Sequence, residues 1–236
     1  MNLAFISDLH LSEETLELNS AFFNFLNRHN NAFDQLFILG DLFEVWLGDD
    51  DTSSFANDIS NALSKFSQKG TEIFFIHGNR DFLIGKNFLA RSEMTLLSDP
   101  FIFEFFDKKI ALSHGDIFCT DDLDYQNFKK EVRTQTWQNN FLSKSLFERK
   151  QIAANMRDAS KSLSMQKQST IMDVNENAVQ KFAEAYSIDV LIHGHTHRPN
   201  THTYENFERI VLGDWSKYGW VITLEDHKSK LEKFTL

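Results

Sequence analysis

Nine histidines occur in the 236 residues of this chain, and three of them stand within "LIHGHTH", residues 191–197. A buried imidazole needs a hydrogen-bond partner of its own, so three crowded together fill a core poorly. The density points to a binding task. Other donors recur wherever a short apolar run ends: Asp8 and His10 after "LAFIS", Asp41 after "LFILG", Asn79 after "IFFIHG", His114 after "IALS", and His195 and His197 after "VLIHG". Asp8 and His10 are two positions apart, as are His195 and His197; in extended backbone such a pair projects to one side and reaches one small volume. The set offers four imidazoles, two carboxylates and an amide. That is too many donors for one ion, but it suits two octahedral ions sharing a carboxylate and leaving room for water. Oxygen and nitrogen donors without sulfur favour Mn²⁺, Mg²⁺ or Fe²⁺ over a structural zinc. Any one of these residues would pass as a polar turn; the ordered set argues for a metal centre.

The apolar runs that deliver these donors are short and continuous, as expected for strands covered on both faces. Gly40, Gly78, Gly115 and Gly194 adjoin the polar residues, where the chain must turn sharply. Between the runs lie helical patterns: Leu18, Phe22, Phe25 and His29 in one, Ile171, Val174, Ala178, Phe182 and Ala185 in a later one. Strands alternating with helices imply an α/β sheet whose function collects at the carboxyl ends of its strands. After residue 205, "RIVLG", "WVITL" and "LEKFTL" read as further strands completing a mixed sheet.

A net charge of −10 argues against nucleic-acid binding, which relies on basic surface. The single cysteine, Cys119, excludes an internal disulfide framework and fits a reducing compartment. No run approaches the roughly 18 apolar residues of a membrane span, and "MNLAFISDLH" lacks the basic start of a signal peptide. The expectation is a soluble, cytosol-facing protein.

The ordered motifs "DLH", "GDLFE", "GNRD", "SHGD" and "GHTH" resemble the calcineurin-like metallophosphoesterases. That resemblance implies an α/β (α+β) fold, a β-sandwich of mixed sheets flanked by helices, with two metals. It assigns Asp8, His10 and His197 to one ion, Asn79, His114 and His195 to the other, and Asp41 to the bridge. His193 and His77 go to packing or to supporting a ligand. Most of the superfamily carries histidine after the asparagine; this chain has Arg80. Arginine holds its proton near neutrality, but its planar fork binds phosphate oxygens in pairs, which suits a pyrophosphate. The alternative is that Arg80 merely pairs with Asp81 or another acid.

A second departure is the length between His114 and His195. Residues 126–167 hold nine basic side chains against three acids, +6 in a chain of −10, interleaved with Phe128, Val132, Trp137, Phe141, Leu142, Leu146, Phe147, Ile152 and Met156. A basic helical segment carrying aromatics suits an anionic amphiphile or a membrane surface. The plain alternative is a helical hairpin burying its aromatics, and about half of them are expected to be ordinary packing.

The longer motifs "GDLFEVWLGDDD", "FIHGNRDFLIGK", "HGDIFCTDD", "IMDVN" and "LIHGHTHRP" resemble the UDP-2,3-diacylglucosamine hydrolase family of lipid A biosynthesis over nearly the full chain. This implies a single domain, 1–236, with an inserted helical cap at 122–167. It also implies two divalent ions, Mn²⁺ foremost, and water attacking the UMP-side phosphorus of UDP-2,3-diacylglucosamine. Asp41, Asn79 and Arg80 take catalytic roles. Asn79, Arg80, Asp122, Ser160, Lys167 and His195 match substrate positions, and Ser164 stands where that family carries asparagine. The implied location is peripheral, on the cytoplasmic face of the inner membrane, with no nucleic acid and no obligate protein partner. Rival readings are a phosphoesterase of the same fold acting on soluble nucleotides or phosphoproteins, a non-catalytic scaffold, and a membrane-surface binding module.

Overall fold

Strands β1 (Leu3–Ile6), β2 (Gln35–Ile38) and β3 (Glu72–Phe75) pair in parallel. Alternate residues of β1 serve different cores: Leu3 and Phe5 pack with Phe37, whereas Ala4 and Ile6 pack with Leu36 and Ile38. Both faces are buried, which is why these runs are apolar without interruption. A computed structural model of the chain describes residues 1–166, 171, 173–226 and 228–236, the side chains of 159–166 excepted.

The remaining strands are β4 (Met94–Leu96), β5 (Phe101–Phe105), β6 (Lys108–Ser113), β7 (Val190–His193), β8 (Asn200–Thr203), β9 (Glu208–Val211), β10 (Tyr218–Glu225) and β11 (Lys228–Thr235). They form two mixed sheets, in the orders β11-β10-β1-β2-β3-β4 and β5-β6-β7-β9-β8. Leu3, Phe5 and Ile222 of the first sheet meet Ile110, Ile192 and Ile210 of the second in one apolar layer. Helices α1 (Leu16–Arg28), α2 (Ser54–Ser67) and α3 (Lys86–Ser92) follow strands of the first sheet, and Phe22, Ile59 and Phe88 join the core on its outer face.

Three helices, α4 (Leu123–Val132), α5 (Gln135–Leu142) and α6 (Leu146–Gln166), lie between the two halves of the second sheet's sequence. Val132 and Phe141 are buried, and Trp137, Leu146 and Ile152 pack against the first core. Phe128, Leu142 and Phe147 stay exposed. The expected division between packing and open surface holds within this segment.

The last helix, α7 (Glu176–Tyr186), covers the second sheet through Val179 and Ala183. It starts later than the periodicity from Ile171 implied. The Asn175 side chain accepts from Ala178 N–H and starts the helix, leaving Ile171 and Val174 outside it. Val174 is buried against the same face from that extended approach, so it matched the pattern without being helical.

Candidate active site

The strands stop before the donors begin. β1 ends at Ile6 and β7 at His193, and Asp8, His10, Asp41, His195 and His197 all have left-handed backbone, φ between 51° and 67°. The expected extended pairs are therefore not strands. Each pair instead alternates left-handed residues, a conformation costly outside glycine and held here by neighbouring chain. Asp8 N–H donates to Gly40 C=O, His10 N–H to Asp41 C=O and Leu11 N–H to Leu42 C=O, zipping segment 8–11 against segment 40–42. Two of the glycines thought to mark turns have another reason. Gly78 and Gly194 have ordinary φ, but a Cβ at Gly78 would overlap the Asp41 carboxylate and amide, and one at Gly194 would overlap Asp8 and Ser7.

This backbone gathers the seven donors into one cluster. His197 Nε2 lies 3.3 Å from Asp8 Oδ1 and 3.3 Å from His10 Nε2. On the other side, Asn79 Oδ1 lies 2.9 Å from both His114 Nε2 and His195 Nδ1. Asp41 faces both groups, with Oδ2 3.9 Å from His10 Nε2 and Oδ1 3.8 Å from His114 Nε2. Among the described residues, Asp8, His10 and His197 have ligand atoms within 4.8 Å of one another, as do Asp8, Asp41 and His114. Asp8 thus stands near both candidate positions, closer to the centre than the expected partition gave it.

The chemistry of the donors fits cations. His114 Nδ1 is 2.9 Å from the Leu39 carbonyl, which can only accept, so that nitrogen carries a proton. A neutral ring then turns a bare Nε2 toward the Asn79 amide oxygen, lone pair against lone pair. A cation between them removes the conflict; without one, a second proton or a turned Asn79 amide does so. Burial disfavours charge on His114, yet the carboxylates of Asp41, Asp116 and Asp8 hold its pKa up at about 9. Burial likewise works against His10, but its hydrogen bond to Glu44 and the charge of Asp41 raise it. Burial and the neighbouring His114 push His195 down to about 3. Burial opposes ionisation of Asp8, but the hydrogen bond and charge of His197 prevail and keep its carboxyl below the ordinary range. Burial raises Asp41 in spite of His114 and His10.

Several residues not singled out in the sequence support the cluster. Asp81 is fully buried and accepts from Leu42 N–H at 2.7 Å and Gly78 N–H at 2.8 Å, tying the Asp41 and Asn79 loops together. Ser7 donates to Asp8 Oδ2 at 2.6 Å, and His195 N–H reaches the same oxygen at 2.9 Å. Tyr125, from α4, sets its ring 5.7 Å from that of His195 and donates its hydroxyl to buried Asp116 at 2.5 Å. Glu44 Oε2 lies 3.1 Å from His10 Nδ1. The "GDLFE" motif contains Glu44, but only the folded chain turns it toward His10.

Arg80 sits beside the cluster, its backbone N–H donating to Asp41 Oδ1 at 2.8 Å and its Nη1 3.5 Å from Glu44 Oε1. Its acid partner is Glu44, since Asp81 is engaged by backbone. His77 bonds the Ile84 carbonyl and His193 the Gly194 carbonyl, both apart from the cluster. Asp122 accepts from Tyr125 N–H as the cap of α4. Ser160, Ser164 and Lys167 lie outside the residues whose side chains are described.

Residues 1–199 match the family model described as calcineurin-like phosphoesterase. The chain is 42% identical over 240 residues to the UDP-2,3-diacylglucosamine hydrolase of Aeromonas salmonicida, covering 100% of this chain and 94% of that protein. It is 45% identical over 219 residues to the enzyme of the same name from Aromatoleum aromaticum, covering 91% and 89%. Among solved structures it is similar to an archaeal phosphodiesterase, at 14% identity and a TM-score of 0.52, with 100% of both chains covered. That last likeness speaks to the fold alone.

Proposed function

The chain belongs to the calcineurin-like phosphoesterase family, and from that membership we propose that it hydrolyses the pyrophosphate bond of UDP-2,3-diacylglucosamine. The products are UMP and 2,3-diacylglucosamine 1-phosphate, a step of lipid A biosynthesis. The observation that carries the reading is Asp41, one carboxylate facing His10 with one oxygen and His114 with the other, bonded by the backbone of Arg80, whose guanidinium lies against Glu44 and suits phosphate.

In this reading Asp8, His10 and His197 hold one ion, Asn79, His114 and His195 the other, and Asp41 both. Two divalent cations bound there, Mn²⁺ in our reading, would supply Lewis acidity that acidifies water and offsets the charge of phosphoryl oxygens. Arg80 grips pyrophosphate oxygens through its planar fork. His195, its proton affinity lowered by burial, remains neutral at physiological pH and meets the substrate without adding charge. Tyr125 sets its ring beside that of His195. Water attacks the UMP-side phosphorus and the lipid phosphate departs. Asp122, Ser160, Ser164 and Lys167 orient the glucosamine from a helical cap spanning 122–167.

Exposed Leu123, Phe128, Leu142 and Phe147 support a cap whose outer surface meets acyl chains or bilayer. No helix among the described residues is long and apolar enough to cross a membrane. From the proposed lipid substrate and that exposed apolar surface, we read the protein as peripheral, on the cytoplasmic face of the inner membrane. The test is Mn²⁺-dependent hydrolysis of UDP-2,3-diacylglucosamine in ¹⁸O-water, followed by mass spectrometry. The label is expected in UMP. Label in the lipid phosphate would overturn the site of attack. Turnover of soluble phosphoesters with no UMP formed from the lipid would overturn the substrate.

A further inference from the structure

Glu44 makes more contacts than a loop carboxylate beside a metal centre requires. Its Oε2 lies 3.1 Å from His10 Nδ1, while its Oε1 lies 3.5 Å from Arg80 Nη1 and forms an ion pair with Arg157. Arg157 belongs to α6, more than a hundred residues away in sequence, and Arg80 to the loop after Asn79. The backbone that carries this carboxylate is fixed. Glu44 N–H donates to the Leu11 carbonyl at 2.9 Å, and Leu11 bridges Phe43, so Glu44 is pinned to the segment that presents His10.

We propose that Glu44 is a positioning residue linking the metal cluster to α6: one oxygen stands against His10 Nδ1 and biases that ring toward its Nδ1–H tautomer, and the other seats Arg80 and Arg157. The first contact leaves His10 Nε2 bare toward Asp8, Asp41 and His197. The second gives two guanidiniums a common anchor at the rim of the cluster, with 37% and 44% of their side chains open to solvent. A pyrophosphate entering there meets cations already collected by a carboxylate, and exchanges for part of that pairing. The inference rests on the metallophosphoesterase reading of the cluster for its first half. Its second half needs only that the ligand be anionic.

The experiment titrates Mn²⁺ calorimetrically into metal-stripped wild type, Glu44→Ala, Glu44→Gln and Arg157→Ala, and measures KM and kcat for each. Loss of a partner that orients a ligating histidine weakens metal binding by about 10- to 100-fold. That loss is expected for Glu44→Ala. Glu44→Gln keeps an oxygen to accept from Nδ1 and should bind Mn²⁺ more tightly than the alanine variant, yet show a raised KM because both guanidiniums lose their anion. Arg157→Ala, at an exposed position, should raise KM and leave Mn²⁺ affinity unchanged. Wild-type Mn²⁺ affinity in folded Glu44→Ala overturns the tautomer role. An unchanged KM in both Glu44→Gln and Arg157→Ala overturns the anchoring role. If wild type binds Mn²⁺ but does not cleave the lipid pyrophosphate, the substrate assignment fails while the difference in metal affinity still decides the first half.

Discussion

At the strand ends, Asp8 and Asp41 are 0% and 2% exposed and are fixed by main chain: left-handed residues, backbone hydrogen bonds between loops, and glycines that admit a neighbour's carboxylate. The α4–α6 segment is attached differently, by side chains: Phe141, Trp137, Leu146 and Ile152 pack on the first core, and the tips of long cations reach across. Lys129 donates to Asp116, Arg133 to the Gly78 carbonyl, Arg149 to the Leu47 carbonyl and Asp50, and Arg157 pairs with Glu44. The basic excess of residues 126–167 is therefore not all presented outward; among the described residues, four of its cations grip the rest of the chain. Backbone contacts fix where the donors stand, which metal chemistry needs. Side chains hold the helices, so a substitution there can alter binding without moving a metal donor.

If that contrast is right, substitutions at the strand ends change chemistry and those in α4–α6 change binding. The largest effect is expected for Asp41→Ala. Outer partners of metal ligands are worth about 10- to 100-fold, so a carboxylate facing both candidate ions should cost more than about 100-fold in kcat. Wild-type turnover in metal-stripped Asp41→Ala protein would contradict the site. Gly78→Ala comes next: its methyl would overlap the Asp41 carboxylate, and overpacking of this kind costs about 1–3 kcal/mol. Urea unfolding should register the loss, and Mn²⁺ binding should weaken with it.

Arg149→Ala sharpens the comparison from the other side. Arg149 is 1% exposed and donates to the Leu47 carbonyl, so its removal should cost about 1–3 kcal/mol while Mn²⁺ affinity is retained. Parallel losses of stability and metal binding would erase the distinction between the regions. The pH dependence of the metal-free protein gives a smaller signal. His114 is raised from 6.5 to about 9 by surrounding carboxylates, so its proton contributes stability that is full below pH 6.5 and lost as pH rises through about 9. Metal competes with that proton, so over the same interval Mn²⁺ affinity should rise and proton release on binding should fall, both measurable by calorimetry in buffers of different ionisation enthalpy. The smallest effect belongs to Phe147→Ser. With 69% of the residue exposed, folding stability should move within about 0.5 kcal/mol, while cosedimentation with anionic liposomes should decrease.

Much of the catalytic region was legible because its donors follow apolar strands directly, so that chain order also ordered them in space. The pleat forces both faces of β1, β2 and β7 to be apolar when sheets and helices cover them, and that pattern survives in one dimension. The reading of paired donors as extended failed for a local reason: left-handed φ at Asp8 or His195 is imposed by the facing loop, and neither residue announces it. The start of α7 was misjudged because Val174 is buried from outside the helix at helical spacing. In α4–α6 the aromatic and basic content was plain, but nothing in it distinguished Arg149, deep against Leu47, from a solvated lysine such as Lys150.

The sequence by itself determined the inventory and its order: seven donors at strand ends, an arginine after the asparagine, a basic helical stretch before the last pair of histidines. Only the tertiary structure decided who faces whom. It brought Asp41 between His10 and His114, set Asp8 near both candidate ions, and turned Glu44 to His10 with Arg157 on its other oxygen. Hydrophobic pattern is a property of each segment's own burial, so it can be read along the chain. A hydrogen bond or ion pair is a property of two segments at one relative position, and that position exists only once the sheets have packed.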